Sequence, residues 1–250
     1  MPIVDLLVLA GGRGSRLGGR DKGALVVEGR PLLDRVLSAA PVLGGRVVVV
    51  GRGPVPEGVL RTLEDPPDGG PVAGIAAGLA ALGTGSDWVA VVAVDQPGAA
   101  PAVAALHAEL TGLTDVEVGD EPDEPDEPNE PNEPDEQDEP EKPDVGAGDR
   151  LGEVDALAHV DATGHRQWLL GIYRREALRA ALERLPAVRD VPVRRLVADL
   201  RWHEVRAGSE HLGDVDTWAD LADWERRGGS ATMGRDRPET MGRDRPDLEG

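Results

Sequence analysis

Three stretches of this chain are apolar almost without interruption: residues 3–10 (IVDLLVLA), 46–50 (RVVVV) and 88–94 (WVAVVAV). A strand with one face in water alternates apolar and polar residues, whereas a continuous apolar run of this length suits a strand buried on both faces. Helical spacings fall between the runs. From residue 31 to 40 a proline stands in the first turn, and Leu32, Leu33, Val36 and Leu37 share one face. An alanine-rich helix opens at 70–74 and continues to Leu82, and another spans 101–110. Strands alternating with helices in this way predict an α/β fold with a mostly parallel central sheet, covered on both faces in a three-layer αβα, Rossmann-like arrangement. Further strands are expected at 154–160, 168–173 and 202–206, and helices at 176–185 and 193–200. A closing helix is expected over 217–227, capped by Asp216 or Thr217.

One stretch breaks the pattern. Residues 119–144 carry fourteen carboxylates and one lysine, with a proline at nearly every third position. Proline removes backbone donors and like charges repel, so an extended, solvated insertion is expected, not a chelating calcium loop. The ordered part is therefore read as one domain over residues 1–227, interrupted at 119–144. Residues 228–250, which repeat MGRDRP, form a disordered tail. The insertion accounts for most of the chain's net charge of −20, and the rest is only mildly acidic. That argues against a broad nucleic-acid surface, which needs clustered positive charge. With no cysteine, thiolate metal sites, disulfides and a cysteine nucleophile are excluded, and a cytoplasmic location is expected. The first apolar run, broken by Asp5 and without a basic start, is too short for a membrane span and wrong for a signal peptide.

The first strand delivers LAGGRGSRLGGRDK at residues 9–22. Glycines let backbone N–H groups approach an anion closely, and Arg13, Arg16, Arg20 and Lys22 can neutralise it, a combination that suits a polyphosphate. The spacing is not a P-loop, because Lys22 follows Asp21 and precedes Gly23. It is not a dinucleotide fingerprint either, because Leu17 stands where the third glycine belongs. A flexible surface turn is the alternative reading. The chain uses lysine twice against twenty-five arginines, and one of the two lysines in this loop favours function.

Asp95 lies at the carboxyl end of the third buried run, where ligands bind in open α/β sheets. It can hold Mg²⁺ against phosphate oxygens, or simply start the turn before Gln96-Pro97, and its position favours the metal. Asp65 precedes the glycine-rich helix start at 69–74, where the glycines serve either a nucleotide or close packing. Asp214 and Asp216 precede the closing helix, where capping is the default role. The five histidines never fall in metal-binding spacing and are read as surface or packing residues.

In this order and spacing the motifs resemble the nucleotidyltransferases of the GT-A-like superfamily, and in particular the molybdenum cofactor guanylyltransferases (MobA-like proteins). That family's opening pattern matches residues 9–22, with Leu17 replacing the usual methionine. Its G-P-L-A-G segment matches residues 70–74, its C-D-M-P segment matches Val94-Asp95-Gln96-Pro97, and its closing N-x-N-T-P-E-D-L resembles residues 214–221. The resemblance implies a nucleotidyltransferase fold and transfer of GMP from GTP to the phosphate of molybdenum-molybdopterin, with release of pyrophosphate. It implies nucleotide contacts from Leu9, Ala10, Gly11, Gly12, Gly14, Lys22, Asp65, Gly70 and Asp95. Arg16, Lys22 and Asp95 become the catalytic residues, with Mg²⁺ as cofactor held by Asp95 and by Asp216 or Asp214. GTP and molybdenum-molybdopterin are the implied substrates. Partners could extend to molybdoenzymes or their chaperones, with no nucleic acid and no membrane. A cytidylyltransferase, a sugar-phosphate nucleotidyltransferase and a non-catalytic nucleotide-binding relative are the alternatives.

Overall fold

The computed structural model describes residues 1–11, 22–115, 152–161 and 163–206, with 213, 217, 219, 220, 222, 224 and 226. The acidic insertion at 119–144 and the tail at 228–250 lie outside the described residues.

The first apolar run is β1 (Val4–Leu9), whose six residues are all buried. The remaining strands are β2 (Val26–Val27), β3 (Arg30–Pro31), β4 (Gly44–Val50), β5 (Leu60–Thr62), β6 (Trp88–Ala93), β7 (Ala156–Val160), β8 (Arg166–Arg174) and β9 (Trp202–Arg206). Seven of them form one sheet in the order β5-β4-β1-β6-β8-β7-β9. Pairing is parallel for β5/β4, β4/β1, β1/β6 and β7/β9, and antiparallel only where β8 meets its two neighbours. The expected mostly parallel α/β fold is what the chain adopts.

Successive side chains of a strand point to opposite faces, so β1 feeds two cores. Val4, Leu6 and Val8 join Val36, Leu43, Val103 and Leu106 on one side. Leu7 and Leu9 join Val72, Ile75, Leu79, Leu178 and Leu196 on the other. The first side is covered by α1 (Leu32–Leu37), α2 (Ala40–Leu43) and α4 (Ala99–Asp115). The second is covered by α3 (Pro71–Leu82), α5 (Arg175–Glu183) and α6 (Val193–Leu196). In α3 the contact is close because two residues lack side chains. A Cβ at Gly78 would sit 2.5 Å from Leu7 Cδ1, and one at Gly74 would sit 2.9 Å from Leu9 Cδ2.

The single helix expected over 31–40 is instead α1 and α2, separated at Ser38 and Ala39. Pro41, near the start of α2, has no N–H to continue the ladder, and its ring disfavours a helix running through it. Pro31 closes a small hairpin, β2/β3, whose two-residue strands carry no pattern in the sequence. Its two turn residues, Glu28 and Gly29, both have positive φ, as a tight hairpin turn demands. Residues 219, 220, 222, 224 and 226 are helical, in agreement with the closing helix. Its cap is Thr217, which exchanges hydrogen bonds with Asp220: the Asp220 N–H donates to Thr217 Oγ1 at 3.2 Å and the Thr217 N–H to Asp220 Oδ2 at 2.7 Å.

A buried charge on β1 was also not foreseen. Asp5 is 2% exposed at the amino end of the strand. Its carboxylate accepts from the Arg46 backbone N–H at 2.7 Å and from the Arg175 guanidinium. Arg175 also donates to the Ser86 and Gly83 carbonyls, at 2.6 and 3.1 Å.

Candidate active site

Because β1, β4, β5 and β6 run parallel, their carboxyl ends open along one edge of the sheet, and the chain emerging there builds the site. Backbone hydrogen bonds continue past the strand ends. The Val94 N–H donates to Leu9 O at 3.0 Å, Ala10 N–H to Val50 O at 2.9 Å, and Gly51 N–H to Thr62 O at 3.0 Å. The residues that follow are thus held on a rigid frame.

They surround a cavity of about 400 Å³. Its floor is apolar or small: Leu9, Gly11, Val50, Gly74 and Ala93. Lys22 and Asp95 stand on one side, and Glu64, Asp68 and Asp190 on the other, with Gly70 and Pro71 at the start of α3. Among the described lining residues Lys22 is the one cation. It opens a short 3-10 turn, and its Nζ lies 2.8 Å from Asp95 Oδ2, with both side chains about one-fifth exposed. Residues 73 apart in sequence are therefore paired at the cavity wall.

The glycines at 69–74 divide their roles. Gly70 has φ 87°, a backbone conformation that favours glycine, and its own backbone faces the cavity. Gly74 makes room for Leu9, and Gly69 for Ala73. The second wall is stapled across the chain. Asp190 N–H donates to Gly69 O at 2.8 Å, and Arg189 Nη1 to Pro66 O at 3.3 Å.

Of the residues expected in the site, Leu9, Gly11, Lys22, Gly70 and Asp95 line this cavity, and Ala10 lies between two of them without lining it. Asp65 is exposed and is not among the lining residues, whereas its neighbours Glu64 and Asp68 line the cavity. Their acidic character was visible in the sequence, but which of three nearby acids faces inward depends on the loop path. Gly12, Gly14, Arg16, Asp214 and Asp216 lie outside the described residues. Among the described residues no group of three His, Asp or Glu side chains is arranged to hold a metal ion alone. The buried histidines serve packing: the Nε2 atoms of His107 and His159 each lie 2.8 Å from a backbone carbonyl, of Pro2 and Ala102 respectively.

The sequence profile of the MobA-like NTP transferase domain matches residues 6–205. The chain belongs to the MobA-like NTP transferase family. Relatives named molybdenum cofactor guanylyltransferase include one from Pseudomonas putida, 38% identical over 104 residues, covering 39% of this chain and 52% of that protein. Another, from Acidiphilium cryptum strain JF-5, is 35% identical over 117 residues, covering 40% of this chain and 60% of that protein. The chain spans about half the length of the curated relatives it matches. Among solved structures, molybdopterin-guanine dinucleotide biosynthesis protein A from Archaeoglobus fulgidus superposes with a TM-score of 0.58 at 20% identity, over 91% of this chain and all of that one. A 4-diphosphocytidyl-2C-methyl-D-erythritol synthase from Anaerococcus prevotii gives 0.57 at 12% identity, over 91% and 99%. At these identities the likeness shows a shared fold, one common to MobA-like domains and other nucleotidyltransferases. No helix of this MobA-like domain, among the described residues, is long and apolar enough to cross a membrane.

Proposed function

We propose that this MobA-like domain transfers GMP from GTP to the phosphate of molybdenum-molybdopterin, releasing pyrophosphate. The observation that carries the reading is the Lys22–Asp95 pair, 2.8 Å apart on the wall of a cavity at the carboxyl edge of the sheet. Family membership and the names of the relatives support the same chemistry.

In such a transfer an oxygen of the acceptor phosphate attacks the α-phosphorus of the nucleotide in line. The bond from that phosphorus to the β-phosphate bridging oxygen breaks, and pyrophosphate leaves with that electron pair. No side chain needs to act as nucleophile, so the protein's work is positioning and charge stabilisation. Lys22 supplies a fixed positive charge, and Asp95 orients it. Gly11, carrying no side chain, leaves the backbone open to approach. We assign Gly12, Gly14 and Arg16 to the same phosphate-binding loop, and Asp65 to the outer rim near the nucleoside.

A divalent cation, Mg²⁺, fits the donor set at Asp95. Mg²⁺ is commonly held by one or two carboxylates together with substrate phosphates, and Asp95 offers one hard-oxygen carboxylate facing the cavity. Asp216, or Asp214, is the proposed second ligand. When bound, the cation would neutralise charge on the phosphates.

The test is a comparison of GTP, CTP, ATP and UTP by thermal shift with Mg²⁺. At a hundredfold excess over Kd a ligand stabilises by about 2.7 kcal/mol, which for a domain of this size raises Tm by roughly 5–10 °C. Such a shift with GTP and a smaller one with the others supports the reading. Preference for CTP would move it to cytidylyl transfer, and no shift with any nucleotide would overturn it.

A further inference from the structure

We infer that Arg35 is a positioning residue that holds Lys22 against Asp95 by joining the two chain segments that carry them. The inference rests on the reading of the Lys22–Asp95 cavity as the place of phosphate chemistry. The segment that follows Lys22 is closed by its own backbone. Leu25 N–H donates to Lys22 O at 3.1 Å and Leu32 N–H to Leu25 O at 2.8 Å, which ties Lys22 through Leu25 to the start of α1. Leu25, Val27, Leu32 and Val36 anchor this unit in one core. Arg35, on α1, reaches back to the β2/β3 hairpin: its Nη1 donates to Val27 O at 3.3 Å and pairs with Glu28 Oε2 at 3.0 Å. Its Nε reaches across to the loop after β6 and donates to Pro97 O at 3.2 Å, two residues beyond Asp95.

Each end of this link has a reason in the chain. The ladder of α4 opens with Ala102 N–H donating to Gly98 O at 3.3 Å. Pro97 O stands one residue ahead of it, and residue 101, which would serve it, is a proline without an N–H. The Arg35 guanidinium supplies that donor. At the other end Glu28 has φ 48°, in a tight turn where glycine, asparagine or aspartate is the usual choice. Its carboxylate on Arg35 gives a glutamate a role there. A guanidinium is a planar fork with its donors at fixed angles, so one side chain sets the hairpin at a fixed distance from the Asp95 loop. The Arg35 side chain is about one-fifth exposed, which limits competition from water. Arg35 does not line the cavity, so it acts through Lys22 and Asp95 and not on the substrate.

The experiment has two arms on the full chain. It compares the wild type with Arg35→Met, Glu28→Gln, Asp95→Asn and the double variant Arg35→Met with Asp95→Asn. In the first arm both lysines, Lys22 and Lys142, are methylated with carbon-13 formaldehyde and followed by NMR without substrate, Lys142→Arg assigning the signals. Asp95→Asn weakens the pair and shifts the Lys22 signal, and Arg35→Met should shift it in the same direction. The second arm is GMP transfer with Mg²⁺, GTP and molybdenum-molybdopterin. Displacing a catalytic group by about 1 Å can cost roughly 10²-fold, so Arg35→Met should lower kcat about tenfold, with KM for GTP changed by less than about threefold. In the Asp95→Asn background the same substitution should cost less than about twofold, because no pair is left to position. Glu28→Gln, at an exposed turn, should cost about two- to threefold and shift the Lys22 signal the same way; it carries the test if Arg35→Met does not fold. An unmoved Lys22 signal in Arg35→Met, an unchanged kcat, or losses that multiply in the double variant overturns the inference. A wild type that transfers no GMP overturns the proposed reaction, and the Lys22 signal then decides the positioning role.

Discussion

Replacing Asp5 by alanine should destabilise the domain by about 3–5 kcal/mol, without touching the cavity at the opposite end of β1. Asp5 is 2% exposed and the Arg175 side chain 8% exposed, so neither charge has water to fall back on. Removing the carboxylate strands the Arg175 guanidinium and leaves the Arg46 N–H without its 2.7 Å acceptor. The two losses overlap, so they are not added, and the range for breaking a buried ion pair covers both. For a domain of this size each kcal/mol moves Tm by about 2–4 °C, so a fall of roughly 6–20 °C is expected. Urea unfolding followed by tryptophan fluorescence would measure it, and an unchanged m-value would show that the unfolded state is not the cause. Replacing both partners by apolar residues, Asp5→Leu with Arg175→Met, should recover much of the loss, because neither charge is then stranded. A loss below about 1 kcal/mol for Asp5→Ala, or a double variant no better than the single one, would refute the reasoning. Room for the cluster is built in: a Cβ at Gly45 or Gly85 would collide with the Asp5 carboxylate.

Other outcomes follow from the same structure. Asp95→Asn should lower kcat by about 10²–10³ with the Tm little changed, since it weakens the grip on Lys22 and removes a proposed metal ligand; retained turnover in Mg²⁺ would count against both roles. Glycine to alanine should have opposite signs at two helical sites. At Gly112, where an added Cβ meets nothing within 4 Å, it should stabilise by up to about 1 kcal/mol. At Gly78, overpacking against Leu7 should outweigh that gain and leave a net loss of about 1 kcal/mol; equal shifts in urea midpoint would contradict the packing. Asp155 is held below its ordinary value of 3.8 first by hydrogen bonds from the Arg201 side chain, which its carboxylate accepts at 2.9 Å. A depressed carboxylate stabilises the fold above its unfolded pKa, and that contribution is lost as the pH falls through the lower folded value. Stability measured against pH should therefore lose part of its fall below pH 3.8 in Asp155→Asn, and an unchanged acid limb would remove the assignment.

How much of this was legible from the residues depends on how local each signal is. The apolar runs at 3–10, 46–50 and 88–94 gave three central strands, because burial on both faces writes itself directly into composition. β5 was missed, since Leu60, Arg61 and Thr62 sit at an edge and carry no apolar pattern. The antiparallel direction of β8 is set by its neighbours and not by its own sequence. At the site, Lys22 and Asp95 could each be singled out by type and position. Their pairing across 73 residues follows only from β1 lying beside β6. Glu64 and Asp65 are adjacent acids that sequence cannot tell apart. The loop path through Asp68, which has positive φ, and the staple from Asp190 to Gly69 accompany the choice of which one faces inward. Asp5 looked like an interruption of a strand, because its partner lies 170 residues away.

The most direct measurement is of the transferred group. Full-length protein would be incubated with Mg²⁺, molybdenum-molybdopterin and GTP labelled at its α-phosphate, and the pterin product and pyrophosphate would be counted together. Label appearing on the pterin, one for each pyrophosphate released and absent in Asp95→Asn, is the expected result. Pyrophosphate released without label on the pterin, or label transferred from CTP and not from GTP, would contradict the guanylyl transfer proposed for this domain.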